Sequence, residues 1–156
     1  MRLLLALALM EVVPETAMAA LFGNLFAGST PATLGVRSGR LAACPGRPNC
    51  VSSQVSDEQH AVRPFGYTGD ADAAMSRLAA LIGAQEGARI VTRRADYLHA
   101  EYQSKLMGFV DDLELLADPA AHVIHVRSAS RLGYGDLGVN RARVEALRAA
   151  FAAGPA

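Results

Sequence analysis

Arginine, serine, asparagine and glycine crowd one short stretch of this chain, Arg127-Ser128-Ala129-Ser130-Arg131-Leu132-Gly133-Tyr134-Gly135-Asp136-Leu137-Gly138-Val139-Asn140-Arg141. Guanidiniums offer forked donors to carboxylate or phosphate oxygens, hydroxyls add further hydrogen bonds, and glycines let backbone amides approach an anion. The stretch lies between a strand-like and a helix-like pattern, and a helix start presents unpaired amides at the positive end of its dipole. These residue types suit phosphate, sulfate, a carboxylate, or the anionic group of a larger molecule. The candidate ligand-binding residues are Asp111, Arg127, Ser128, Ser130, Arg131, Gly133, Tyr134, Asp136, Asn140 and Arg141, with Arg143 an alternative cation. The competing reading is an internal ion network, Arg127 with Asp112 and Arg131 or Arg141 with Asp111 or Asp136, that merely fixes the turn.

Other chemistries find less support. Gly133 to Gly138 matches Gly-x-Gly-x-x-Gly, but a dinucleotide fold needs a parallel strand and an acidic residue after the helix, and here the sequence runs out first. His122 and His125 stand three apart on a strand, so they face opposite ways and cannot share an ion. Asp111 and Asp112 likewise diverge, which counts against a paired-carboxylate site. Ser128 or Ser130 with His99 or His125 and Asp111 has the residue types of a hydrolase but no Gly-x-Ser-x-Gly elbow. No catalytic residue, metal ligand or cofactor is assigned.

Positioning these groups falls to a small set of elements. Met75, Leu78, Ala79 and Ile82 recur at helical spacing, with Asp70 as N-cap and Gly83 or Gly87 as stop. Ala88 to Arg94 reads as a strand, and Leu98, Ala100 and Tyr102 alternate with His99, Glu101 and Gln103 in a second. A hairpin joins Phe109–Leu116 to His122–Ser130 through Asp118-Pro119-Ala120-Ala121. The register expected for it sets Leu113 against Val126, Leu115 against Ile124, Asp112 against Arg127, Glu114 against His125 and Asp111 beside Ser128. A last helix buries Val144, Leu147 and Phe151 and turns Arg141, Glu145 and Arg148 outward. Asn140 would cap it, with Val139 and Val144 as a staple, or Asp136 one turn earlier. The order predicts an α+β fold in two layers, a mainly antiparallel four-stranded sheet with two helices on one face.

At 156 residues and zero net charge, the chain suits one domain, and it lacks the basic surplus that nucleic-acid binding requires. Met1-Arg2, the apolar run Leu3 to Met10 and Ala17-Met18-Ala19 compose a secretory signal over residues 1–19. An uncleaved anchor is the alternative, giving membrane or envelope association through the N-terminus. Residues 20–40 read as a linker or membrane-proximal lead-in, and residues 41–154 as the folded unit. Leu41-Ala42-Ala43-Cys44 imitates a lipoprotein box but lacks an apolar run directly before it. In an exported, periplasmic or extracellular protein, Cys44 and Cys50 are expected to close one disulfide worth about 2 kcal/mol.

Cys44-Pro45, Pro48-Asn49-Cys50-Val51-Ser52-Ser53, Phe109-Val110-Asp111-Asp112, Arg127 to Tyr134 and Asp136 to Arg141 occur together and in order. With these blocks the chain resembles the exported bacterial and plastid family catalogued as domain-of-unknown-function family 1499, over about everything after Leu34. Gly135 stands where members of that family often carry Ser. The resemblance implies an extracytoplasmic setting and brings no activity with it.

Overall fold

The computed structural model describes residues 26–154, so the expected signal segment lies outside the described residues. Eight elements follow in order: β1 (Cys50–Ser52), β2 (Phe65–Gly66), α1 (Ala71–Gly83), β3 (Ala88–Arg93), β4 (Tyr97–Gln103), β5 (Val110–Asp118), β6 (Val123–Ser130) and α2 (Val139–Ala152). The sheet runs β1-β6-β5-β4-β3, with β2 also paired to β6, and every strand pair is antiparallel. The α+β architecture stands, with six strands rather than four. The two additional strands, of three and two residues, are too short to display an alternating pattern.

Both helices pack on one face. Met75, Leu78, Ala79 and Ile82 of α1 and Val144, Leu147 and Phe151 of α2 share a core with Leu98, Ala100, Leu113, Leu115, Ile124 and Val126. Asp70 caps α1, its carboxylate accepting the Ala73 N–H at 2.8 Å, an interaction worth about 1 kcal/mol.

The hairpin keeps the expected faces but not the expected register. Leu115 opposes Val126, Leu113 opposes Ser128, Glu114 opposes Arg127 and Asp111 opposes Ser130, an offset of two residues from the hydrophobic match. An offset of two preserves which side chains face the core, so patterning cannot detect it. The turn can. The expected pairing leaves a two-residue loop that places Pro119 where φ must be positive, which the pyrrolidine ring forbids. Instead Asp118 pairs with Val123 across a four-residue loop that His122 closes at φ 52°.

The opposite face of the sheet is covered by the stretch expected as a linker or lead-in. Leu41 and Val36 pack on Tyr97 and Leu116, and the Gly35 N–H donates to Glu114 Oε1 at 2.7 Å. Gly28, at φ 67°, approaches so closely that a Cβ there would sit 3.0 Å from Arg131 Cβ and 3.1 Å from Leu132 Cγ. Cys44 and Cys50 form a disulfide. The loop it closes is held by His60, whose Nδ1 meets Asp57 Oδ1 and whose Nε2 meets the Arg47 carbonyl at 3.0 Å.

Candidate functional site

Side chains alternate along β6, and that alternation splits the Arg127–Arg141 stretch between the two faces of the sheet. Ser128 and Ser130 point toward the helices, whereas Arg127 and Arg131 point to the face covered by the lead-in.

On the helix side, Asn140 is fully buried in the first turn of α2 and joins the pieces. Its Nδ2 donates to Ser130 Oγ at 2.9 Å, to Asp136 Oδ2 at 2.8 Å and to the Asn49 carbonyl at 3.3 Å. Its Oδ1 accepts from Ser128 Oγ at 2.6 Å and from Arg143 Nη1 at 2.7 Å. Arg143 also donates to Asp111 Oδ2 at 2.6 Å and lies over the Tyr102 ring at 4.4 Å. Burial pushes the Tyr102 hydroxyl up to about 12 against the pull of Arg143, so it stays a hydrogen-bond donor at neutral pH.

The positive end of α2 is already occupied by the chain's own carboxylate. Asp136 accepts the N–H groups of Gly138 and Asn140, each at 2.9 Å. Burial raises this carboxyl, but those bonds outweigh it and hold it below the ordinary value. Asp136 therefore does the capping while Gly138 occupies the N-cap position itself, without a side-chain bond. Asn140 is not the cap, and Val139 is half-exposed rather than stapled to Val144.

On the opposite face the guanidiniums pair with carboxylates, Arg131 fully and Arg127 with its buried Nε left without a partner. Arg131 donates from Nε to Asp112 Oδ2 at 2.9 Å, and from Nη2 to Asp112 Oδ1 at 2.8 Å and Glu101 Oε1 at 2.5 Å. His99 Nε2 meets Asp112 Oδ1 at 2.8 Å, and Arg89 reaches Glu101 from the rim. Burial pushes the Asp112 and Glu101 carboxyls up, yet the bonds from Arg131, with His99 for Asp112 and Arg89 for Glu101, win and hold both low. Arg127 pairs with Glu114 at 3.3 Å, not with Asp112. Glu114 also accepts from the Tyr97 hydroxyl at 2.8 Å, and burial, then this carboxylate, raises that hydroxyl well above its usual value.

Of the ten candidate positions, Asp111, Ser128, Ser130, Asp136 and Asn140 meet in one cluster, and Gly133 joins through its carbonyl, which accepts from Asn49 Nδ2 at 2.9 Å. Arg127 and Arg131 lie across the sheet. Arg141 turns away, donating to the carbonyls of Ala61 at 2.8 Å and Gln59 at 3.0 Å. Tyr134 is largely exposed. Arg143 is the cation of the cluster, and its place one turn past Asn140 on the helix was the available sequence signal.

Beside this cluster opens a cavity of about 370 Å³ lined by Tyr102, Phe109, Val110, Asp111, Ser130, Leu132, Val139 and Arg143, with Glu86 and Asp136 among the remaining groups. The Arg143–Asp111 pair and Ser130 bring polar groups to a lining whose larger side chains, Tyr102, Phe109, Val110, Leu132 and Val139, are mostly apolar. A larger cleft of about 780 Å³ lies at the other end of β6, lined by Arg63, Phe65, Tyr67, Arg77, Arg148 and Phe151 among others. It contains none of the Arg127–Arg141 residues.

Serine and histidine are not assembled for nucleophilic chemistry in the way the residue types allow. Ser128 and Ser130 face the helices, and His99 and His125 face the other way, with the sheet between. His125 instead contacts Ser53 Oγ through Nδ1 at 3.2 Å and lies 3.9 Å from Asp118. The latter distance exceeds a hydrogen bond, and Ser53 Oγ is held by the Val126 N–H at 2.9 Å. Among the described residues, His99, Glu101 and Asp112 have the spacing of metal ligands, but the Arg131 guanidinium already bonds both carboxylates there and Arg89 a second oxygen of Glu101.

No curated protein matches this chain. The geometry above engages Pro48–Ser53, Phe109–Asp112 and Arg127–Arg141 together, and residues 40–151 match the family described as a protein of unknown function, DUF1499, to which the chain therefore belongs.

Proposed function

We propose that this protein is an exported, non-catalytic binding module that takes a small amphiphilic ligand in the cavity beside the Gly-rich turn. The observation that carries this reading is a cavity of about 370 Å³ whose lining combines Tyr102, Phe109, Val110, Leu132 and Val139 with Arg143, Asp111 and Ser130. That size and mixture are those of small-molecule sites generally. The polar groups include both donors and acceptors, so they suit a hydroxyl or amide head, or an anionic head that shares Arg143. Phe109, Leu132 and Val139 suit a hydrocarbon or ring body. A free inorganic anion fits less well: the lining carries one guanidinium against the carboxylates of Glu86, Asp111 and Asp136, and the helix amides are taken by Asp136. Export is supported by the disulfide and by the signal-like sequence at the N-terminus.

The test is thermal unfolding with medium-chain alcohols, N-acyl glycines and alkyl phosphates, with inorganic phosphate and sulfate as anion controls. A ligand at about 100 times its Kd adds roughly 2.7 kcal/mol, and Val139→Trp, which adds bulk to the cavity lining, should abolish the shift. A panel without effect, or shifts unchanged by Val139→Trp, would refute the reading. A shift from inorganic phosphate alone would return the site to a simple anion.

A second reading is favoured for the face bearing Arg127 and Arg131, where every named cation is engaged by a buried carboxylate. There the cluster is scaffolding, as in an envelope interaction module.

A further inference from the structure

We infer that the end of the domain carrying the cavity docks on a lipid bilayer, with the tips of two loops and Phe26 lying in the apolar interface. This docking does not require the cavity to hold a ligand.

Eight large hydrophobic residues are left exposed among the described residues, and seven of them lie at this one end. Phe26 stands where the chain enters, Leu106 and Met107 on the β4–β5 loop, and Leu132, Tyr134, Leu137 and Val139 on the β6–α2 connection; only Val91 lies elsewhere. The sheet register brings these segments together, because Gln103 pairs with Val110 and Asp111 with Ser130. Phe26 stacks on Phe109 with ring centroids 5.2 Å apart, and Gly28 lies against Leu132. Soluble domains rarely gather exposed apolar side chains in this way unless the patch meets something.

Leu137 makes the point most sharply. It is fully exposed and holds φ at 55°, a left-handed conformation that costs a non-glycine residue energy. The fold gains neither packing nor backbone comfort from leucine here, so the side chain serves something outside the fold.

A bilayer is the occupant because of what joins this end and because of its charge. The sequence leading to Phe26 contains Leu21, Phe22 and Leu25, preceded by the run Leu3 to Met10. Whether a cut after Ala19 removes that run or the run stays as an anchor, the sequence just before Phe26 is apolar, and Phe26 itself belongs to the patch. Cations at the cavity are paired within the fold, Lys105 with Glu86 at 2.5 Å and Arg143 with Asp111, and Asp136 adds a further carboxylate. Attachment is thus apolar rather than electrostatic and should tolerate salt and neutral lipid. No described helix is long and apolar enough to cross a membrane, which fits a domain resting on the surface.

The experiment uses the full chain, phosphatidylcholine vesicles with and without phosphatidylglycerol, low and high salt, and hydrogen exchange as the readout. Slowed exchange over residues 104–109 and 131–138 is expected on neutral vesicles, with little salt dependence. Leu106→Asp combined with Leu137→Asp should remove that protection and weaken partition about tenfold or more, without lowering the melting temperature. Neither residue lines the cavity, so the variant keeps any ligand-induced thermal shift and the two proposals fail separately. Four results would each overturn the inference: vesicle binding with both loops unprotected, equal partition of the variant, binding that demands phosphatidylglycerol and vanishes in salt, or a vesicle-free dimer that the variant dissociates.

Discussion

Arg131→Met removes the guanidinium that holds three oxygen contacts on Asp112 and Glu101 while leaving much of the apolar stem. Asp112 is 1% exposed, and stranding a buried charge of this kind costs about 3–5 kcal/mol. His99 still bonds Asp112 at 2.8 Å and Arg89 still reaches Glu101, so the lower end, about 3 kcal/mol, is expected. For a domain of this size that lowers Tm by about 11 °C. Thermal and urea unfolding at neutral pH read the loss. A double variant, Arg131→Met with Asp112→Leu, removes both partners and should recover more than half of it. The pH dependence adds a signed check. Asp112 and Glu101 are held low in the folded protein, so each contributes stability that is present above its unfolded value, near 4, and is lost as pH falls through the folded value. Without Arg131 burial is opposed less, the folded carboxyls rise toward their unfolded value, and this acid-labile contribution shrinks, so the acid limb of the variant should flatten. A cost below about 1 kcal/mol, or an unchanged acid limb, would refute scaffolding and free Arg131 for a ligand.

Asp136→Ala should cost about 1–2 kcal/mol in urea unfolding, through two lost backbone acceptances at the start of α2. Its lowered carboxyl makes that contribution vanish as pH falls through the folded value, so wild type and variant should converge in acid. Reducing Cys44–Cys50 should cost about 2 kcal/mol, seen by calorimetry with and without reductant, and a stability unchanged by reductant would contradict it. Leu137→Asn should stabilise by up to about 1 kcal/mol in thermal unfolding, because asparagine tolerates the left-handed conformation better. His125 is held below its ordinary value by burial first, with Asp118 opposing; it therefore destabilises the fold as pH drops below about 6.5, and His125→Gln should flatten that limb.

Helix faces were fully legible in the sequence, since Met75, Leu78, Ala79, Ile82, Val144, Leu147 and Phe151 are all buried as their spacing demands. So were the two faces of the hairpin. Register was legible too, but in Pro119 rather than in the hydrophobic match. Less could be read from the lead-in, whose Gly, Ser, Thr and Pro resemble a linker. Its role follows from long-range needs: Asp112, Glu114 and Arg127 on the face away from the helices are buried, and buried charge needs both partners and cover.

The dense motif misleads for a physical reason. A run of cations and hydroxyls in sequence invites a single convergent site, yet on a strand successive side chains go to opposite faces. Arg127, Ala129 and Arg131 form one set; Ser128 and Ser130 form the other. Each set finds its complement on β5, whose alternation is equally strict: Asp112 and Glu114 meet the arginines, and Asp111 meets Ser130 and Arg143. Two polar layers thus sandwich one hydrophobic sheet end. Exchanging the parity of β5 alone, by swapping Asp112 with Leu113 and Glu114 with Leu115, would set carboxylates against the core and leucines against arginines, and should prevent folding altogether. A folded product with native near-ultraviolet circular dichroism would show that the pairing of these layers does not specify the structure.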